Sequence, residues 1–347
     1  MYKGLGLALG VLIMTVCLEP PSASRSPNPW ETVQLLYQDT RVLREKVSYR
    51  SSGLKIFGQV CRPNRSGQFP VVVWNHGGFE GLQIGDEGFC QAFATFGYTL
   101  LMSSYRGEDG SEGSIEVCNG EVDDVLRLLE LGRTLPYANP KQVVMMGGSH
   151  GGCISLRAVQ KGAPARVLID FYDPSDWQQE YQHIQQLVAS SDVAQKFVGK
   201  TLDAVLLKGL GGTPAQVPQA YRERSPSEYA TRLGNWSGSI LMIHGANDWF
   251  VPPNQSCTLA RAIGGFTSYR IGGSNLTETT APSGCEAAGL IWHGGAVPRS
   301  NWQDKRYLLV YDNLGHGDGS QRDLAIQDAL DYILTKVPVN PIEQRKK

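Results

Sequence analysis

The sequence predicts an α/β fold: a mostly parallel, eight-stranded sheet flanked by helices, with a helical cap inserted at one edge. Three observations predict it. Short apolar runs recur from Val47 onward, and strands buried on both faces read as continuous apolar runs of this kind. Between them, apolar residues fall at i, i+3, i+4 and i+7, the spacing of one helix face. At 347 residues, 41% hydrophobic and 19% charged, the chain is too apolar for disorder and long enough to cover such a sheet.

An antiparallel pair between Val47 and Cys61 opens the sheet, and residues 71–74, 100–102, 143–146, 167–169, 240–243 and 307–310 supply the other six strands. Helix faces are read at Phe89, Ala92, Phe93 and Phe96, at Val122, Val125, Leu126 and Leu129, and at Ile326, Ala329, Leu330 and Ile333. Residues 177–236 are polar and helix-prone where a crossover needs only about a dozen residues, which predicts the cap. Residues 272–303, rich in Gly, Ser and Thr, read as a long loop insertion. One catalytic-sized domain, 47–340, thus follows an N-terminal extension, 25–46, and precedes a polar tail, 341–347.

Residues 1–24 have the form of a signal peptide: Lys3, an apolar run over 4–18, and the small residues Ser22-Ala23-Ser24, after which cleavage is expected. Fifteen apolar residues fall short of the roughly 20 that a bilayer-spanning helix needs, so no stable membrane span is expected. Lipid attachment at Cys17 is the lesser alternative, since Val16 stands where a bacterial lipoprotein box has a small residue. The expected destination is extracellular or periplasmic, where the remaining six cysteines can pair. Nearness in sequence favours Cys257 with Cys285 and Cys90 with Cys118, with Cys153 a small buried hydrophobe. Asn64, Asn235, Asn254 and Asn275 begin Asn-x-Ser/Thr sequons, which matter only in a eukaryotic secretory pathway. With 32 Lys and Arg against 33 Asp and Glu and no long basic run, nucleic acid is excluded as a partner.

The chemistry is carried by Gly147-Gly148-Ser149-His150-Gly151-Gly152, directly after a strand and before a helical run. A G-x-S-x-G here needs small neighbours, because the turn that lifts the serine hydroxyl above the sheet edge is tight and strained. Ser149 is the candidate nucleophile. A serine hydroxyl needs a base, and that base a carboxylate to hold its tautomer. His316, in Asn313-Leu314-Gly315-His316-Gly317 after the last strand, is the candidate base. Asp248, in His244-Gly245-Ala246-Asn247-Asp248, is the candidate acid, with Asp170, Asp173 and Asp176 as rivals. The order Ser, Asp, His is the hydrolase order. Candidate oxyanion donors are the backbone N–H of His150 and one from His76-Gly77-Gly78-Phe79, Phe79 ahead of Gly78. His76, His150 and His316 are explained without a metal, no paired-ligand spacing is present, and no cofactor is expected.

These phrases, with Tyr105-Arg106-Gly107, Glu121-Val122-Asp123-Asp124-Val125, Arg224-Ser225-Pro226 and Val251-Pro252, resemble the α/β-hydrolase catalytic domain of the prolyl oligopeptidase family, in the manner of dienelactone hydrolases and acylaminoacyl peptidases. The resemblance covers nearly all of the chain after the signal and implies Ser149, Asp248 and His316 as a catalytic triad. It departs from the family in two ways: no β-propeller is expected, and the insertion 272–303 is longer than the family's usual link. A secreted serine esterase for small acyl or aryl esters is the leading expectation, and a peptidase for short or acylated peptides is the alternative. A non-catalytic binding protein on the same fold comes third, because a fold does not prove activity. The aromatic residues Trp177, Tyr181, Phe197, Tyr221 and Tyr229 could line an apolar pocket under the cap or pack its helices.

Overall fold

The computed structural model describes residues 28–339; the expected signal peptide, Cys17 and the polar tail lie outside the described residues. In chain order the strands are β1 (Thr32–Gln38), β2 (Val42–Ser51), β3 (Leu54–Pro63), β4 (Phe69–Asn75), β5 (Thr99–Ser103), β6 (Ala138–Gly148), β7 (Val167–Phe171), β8 (Ser239–Gly245), β9 (Thr267–Ile271), β10 (Thr277–Glu278) and β11 (Arg306–Tyr311). The helices are α1 (Ile84–Phe96), α2 (Gly120–Gly132), α3 (His150–Gln160), α4 (Trp177–Ala189), α5 (Val193–Leu210), α6 (Pro218–Arg224), α7 (Ala230–Gly234), α8 (Asn254–Ile263) and α9 (Arg322–Lys336).

All strands join one sheet in the order β1-β2-β3-β5-β4-β6-β7-β8-β11-β9-β10. From β5 to β9 the neighbours run parallel, and the antiparallel strands lie at the two ends. The fold is the expected mostly parallel α/β sheet flanked by helices, but with eleven strands among the described residues rather than eight. The extra three are β1, β9 and β10. β1 and the start of β2 fall before Val47, and β10 falls in the stretch read as structureless loop.

The parallel strands sort their side chains onto two faces with period two. Val71, Val73, Met145, Leu168, Leu308 and Val310 pack on one side, with Val122, Val125 and Leu129 of α2, Leu156 of α3 and Leu259 of α8. Val72, Val144, Met146, Ile169, Leu309 and Tyr311 pack on the other, with Phe93 of α1 and Ala329, Tyr332 and Ile333 of α9. In α1 the buried stripe is Cys90, Phe93 and Ala94, while Ala92 and Phe96 are exposed. The expected face was therefore rotated, because the cysteine at 90 is the residue that turns inward.

That rotation also decides the disulfides. The pairs are Cys61–Cys90, Cys118–Cys153 and Cys257–Cys285, with Cα separations of 5.6, 6.1 and 5.6 Å. Cys257–Cys285 is as expected. Cys90 does not meet Cys118, because the two pack on opposite faces of the sheet. Cys153 is no free hydrophobe but the partner that ties the first turn of α3 to the loop before α2. Thiol titration of the oxidised protein under denaturing, non-reducing conditions should find none of these six cysteines free. Replacing Cys118 and Cys153 together by serine should lower stability by about 4 kcal/mol, the loop-closure entropy for a cross-link of this span. Six titrating thiols, or a double variant as stable as the parent, would contradict the pairing.

Candidate active site

Ser149 alone separates β6 from α3, with φ 55° and ψ −126°. A left-handed φ is costly for a residue with a side chain, by about 1–3 kcal/mol, and persists only where the surroundings enforce it. They do so here through glycine. A Cβ on Gly147 would lie 2.7 Å from the Ser155 hydroxyl, and one on Gly151 would run into the backbone of Asn75 and His76 at the end of β4. The Ser149 N–H donates to the Phe171 carbonyl at 2.9 Å, tying the turn to β7.

Asp248 lies past β8 and is buried. Its Oδ1 accepts from the N–H groups of Phe250 and Val251 at 2.9 and 3.0 Å, and its Oδ2 accepts from Nδ1 of His316 at 2.8 Å. His244 Nε2 approaches the same Oδ2 at 3.5 Å. Burial pushes the Asp248 carboxyl up, but the hydrogen bonds and charge of His244 and His316 outweigh it and hold the carboxyl well below the usual carboxylate range. His316 is held from both sides: Phe250 stacks on it at 4.9 Å and Tyr172 tilts against it at 4.6 Å between ring centroids. With Nδ1 donating to Asp248, Nε2 is the nitrogen left to act as a base.

Ser149, His316, His150, Gly78 and Phe79 line one cavity of about 330 Å³. No hydrogen bond joins Ser149 to His316 among the described residues; such contacts often tighten only on substrate binding. His150 is buried, its Nδ1–H donating to Gly78 O at 3.2 Å and its Nε2 accepting from the Cys118 N–H at 3.0 Å. Burial and the neighbouring His76 push it down to about 3, so it stays neutral. The N–H groups of Gly78 and Phe79 have no hydrogen-bond partner among the described residues, which leaves them free for a developing oxyanion. Their loop is anchored from behind: Gly81 N–H donates to Glu108 at 2.8 Å, Leu82 N–H to Asp109 at 2.9 Å, and the Tyr105 hydroxyl to His76 O at 3.2 Å.

The rival acids stand elsewhere. Asp170 and Asp173 are fully buried beside Gly152, and burial raises both carboxyls. Asp176 caps α4 by accepting from the N–H groups of Gln178 and Gln179. Of Trp177, Tyr181, Phe197, Tyr221 and Tyr229, Trp177 alone borders this cavity. Tyr221 packs in the core against Tyr181 at 5.8 Å, Tyr229 sits under the Arg157 guanidinium at 4.0 Å, and Phe197 is 72% exposed. The wall also includes Trp74, Tyr172, Ile184, Leu202, Leu206 and Glu180. Sequence reasoning missed Ile184, Leu202 and Leu206 because an apolar stripe on a helix looks the same whether it faces core or cavity.

A profile of the prolyl oligopeptidase family matches residues 89–265, just over half of the chain. Among curated proteins, an uncharacterized peptidase of Bacillus subtilis, YtmA, is 24% identical over 240 residues, covering 69% of this chain and 83% of that protein. Acylaminoacyl peptidase of Pyrococcus horikoshii superposes with a TM-score of 0.59 at 19% identity, over 86% of this chain. This chain spans 42% of the length of that peptidase. Acetyl xylan esterase from Paenibacillus sp. R4 superposes with a TM-score of 0.57 at 16% identity, over 89% of both chains. At such identities the two structures share the α/β-hydrolase fold with this chain. The profile match settles the family: the chain belongs to the prolyl oligopeptidase family and is a serine hydrolase.

Proposed function

We propose that the protein is an exported serine esterase that cleaves small acyl or aryl esters through an acyl-enzyme on Ser149. The observation that carries this is the single cavity in which Ser149, His316 and unpartnered backbone N–H groups meet, with Asp248 bonded to the base. In this reading His316 Nε2 takes the Ser149 proton as Oγ attacks the ester carbonyl, and Asp248 stabilises the imidazolium. The N–H of His150 with that of Phe79 or Gly78 receives the oxyanion, each donor worth roughly 3 kcal/mol in comparable sites. His316 then protonates the leaving alcohol, and water repeats the sequence to free the acid.

Residues 177–236 act as the cap in this reading. Trp177, Ile184, Leu202 and Leu206 give the cavity an apolar wall sized for a small ligand. Three disulfides support an oxidising destination, outside the cell or in the periplasm. A second reading, cleavage of short or acylated peptides, is favoured by the similarity to a protein named as a peptidase. The two share every step except the leaving group.

Treating the protein with a fluorophosphonate and mapping the adduct should place it on Ser149. Ser149→Ala should lose that labelling and at least about 10³-fold in ester turnover, with a melting temperature within about 2 °C of the parent. Retained turnover would sink the assignment. Asp248→Asn should cut kcat by about 10⁴, as the wrong histidine tautomer does in a serine protease. A greater loss in Asp173→Asn would move the acid. Among substrates, kcat/KM should be higher for p-nitrophenyl acetate or butyrate than for acyl-aminoacyl anilides, and should fall beyond a chain length set by the cap. The opposite ranking would put the peptidase reading first.

A further inference from the structure

The buried residues of α4 are Trp177, Glu180, Ile184 and Leu187. Three are apolar and suit a helix face packed against a cavity and core; the fourth is a carboxylic acid. Glu180 is 2% exposed and borders the Ser149 cavity. Its carboxyl has one hydrogen bond among the described residues, from Gln255 Nε2 at 3.4 Å. Gln255 is otherwise engaged: its Oε1 accepts from the Ser175 hydroxyl and the Asp176 N–H, and its Nε2 also reaches Asp176 O. A leucine at 180 would continue the stripe, so the acid does nothing for packing, and an under-partnered buried carboxyl is costly.

No lysine or arginine lines this cavity. The charges that bear on Glu180 are Asp248 and Asp173, both acidic, and burial followed by these two pushes its carboxyl well above the usual carboxylate range. The pocket is thus a concave, low-dielectric site with acidic groups behind its wall and no lysine or arginine in its lining.

We propose that Glu180 forms a subsite for a cationic amine, so that the substrate carries a primary ammonium on the part that enters this cavity. On binding, Glu180 gives up its proton to solvent and the ammonium donates to its free oxygen, supplying the counter-charge that the protein withholds, in a charge-assisted hydrogen bond of the stronger kind. A neutral alcohol would gain from the apolar wall but not from the field. This rests on the hydrolase reading and narrows it to amine-bearing esters or amides.

The test uses the full-length oxidised protein and the rate of fluorophosphonate labelling at Ser149, with n-butylammonium chloride or n-butanol as protecting ligand at constant ionic strength. In the parent protein, half-protection by n-butylammonium should need at least tenfold less ligand than by n-butanol. In Glu180→Gln, an isosteric change, the two protection constants, each normalised to that variant's own unprotected rate, should converge to within about twofold. Equal protection by the two ligands in the parent, or an ammonium preference that survives in Glu180→Gln, overturns the subsite while leaving Ser149 as nucleophile. If Glu180→Gln does not fold, the comparison in the parent decides alone. Absence of labelling at Ser149 in the parent overturns the hydrolase reading and the subsite with it.

Discussion

The molecule is organised around one strained residue. Ser149 holds a left-handed backbone between a strand and a helix, and a turn this tight works only if nothing bulky surrounds it. Gly147 and Gly151 let α3 begin directly over the end of β4, where any side chain would strike the backbone or the Ser155 hydroxyl. Gly77 answers from the other side, since a Cβ there would lie 2.9 Å from Gly148 O and 3.1 Å from the Ser149 side chain. The ends of β4, β6 and β7 therefore meet at one point, and that point is where the hydroxyl emerges.

Around this point, burial shifts ionisable groups away from their charged forms. His150 is neutral because burial forbids its charge, so its ring works as a strut between Gly78 and Cys118. Glu108, pushed up to about 8 by burial despite the Gly81 N–H that it accepts, holds the neighbouring loop. Asp248 is the exception, kept ionised by two imidazoles. The one carboxylate held below its ordinary range at the site is thus the one bonded to His316, while Glu180 and Asp173 are driven toward the neutral form.

The signals legible in the sequence were local ones. Ser149, Asp248 and His316 each follow a buried strand, so their placement at the sheet's edge follows from strand register. Pairing of cysteines was legible only for Cys257 and Cys285. Whether Cys90 turns toward Cys61 depends on a helix rotation of a fraction of a turn, and Cys118 reaches Cys153 only because α2 and α3 share a face. β1 escaped notice because every residue in it is exposed, so no buried run marked it. Glu180 was the one acid on a polar-looking helix, and its burial is a property of what α5 and α8 place around it.

The bridge between Cys118 and Cys153 joins two kinds of behaviour that are separable in most enzymes. Cys153 is the fourth residue after Ser149, and the Cys118 N–H is the donor that orients His150 beside Gly78. Cleaving that one sulfur–sulfur bond would loosen the corner that holds His150 beside Gly78 and, in the same event, return loop entropy to the unfolded chain. The bridge therefore couples the stability of the fold to the geometry beside Ser149.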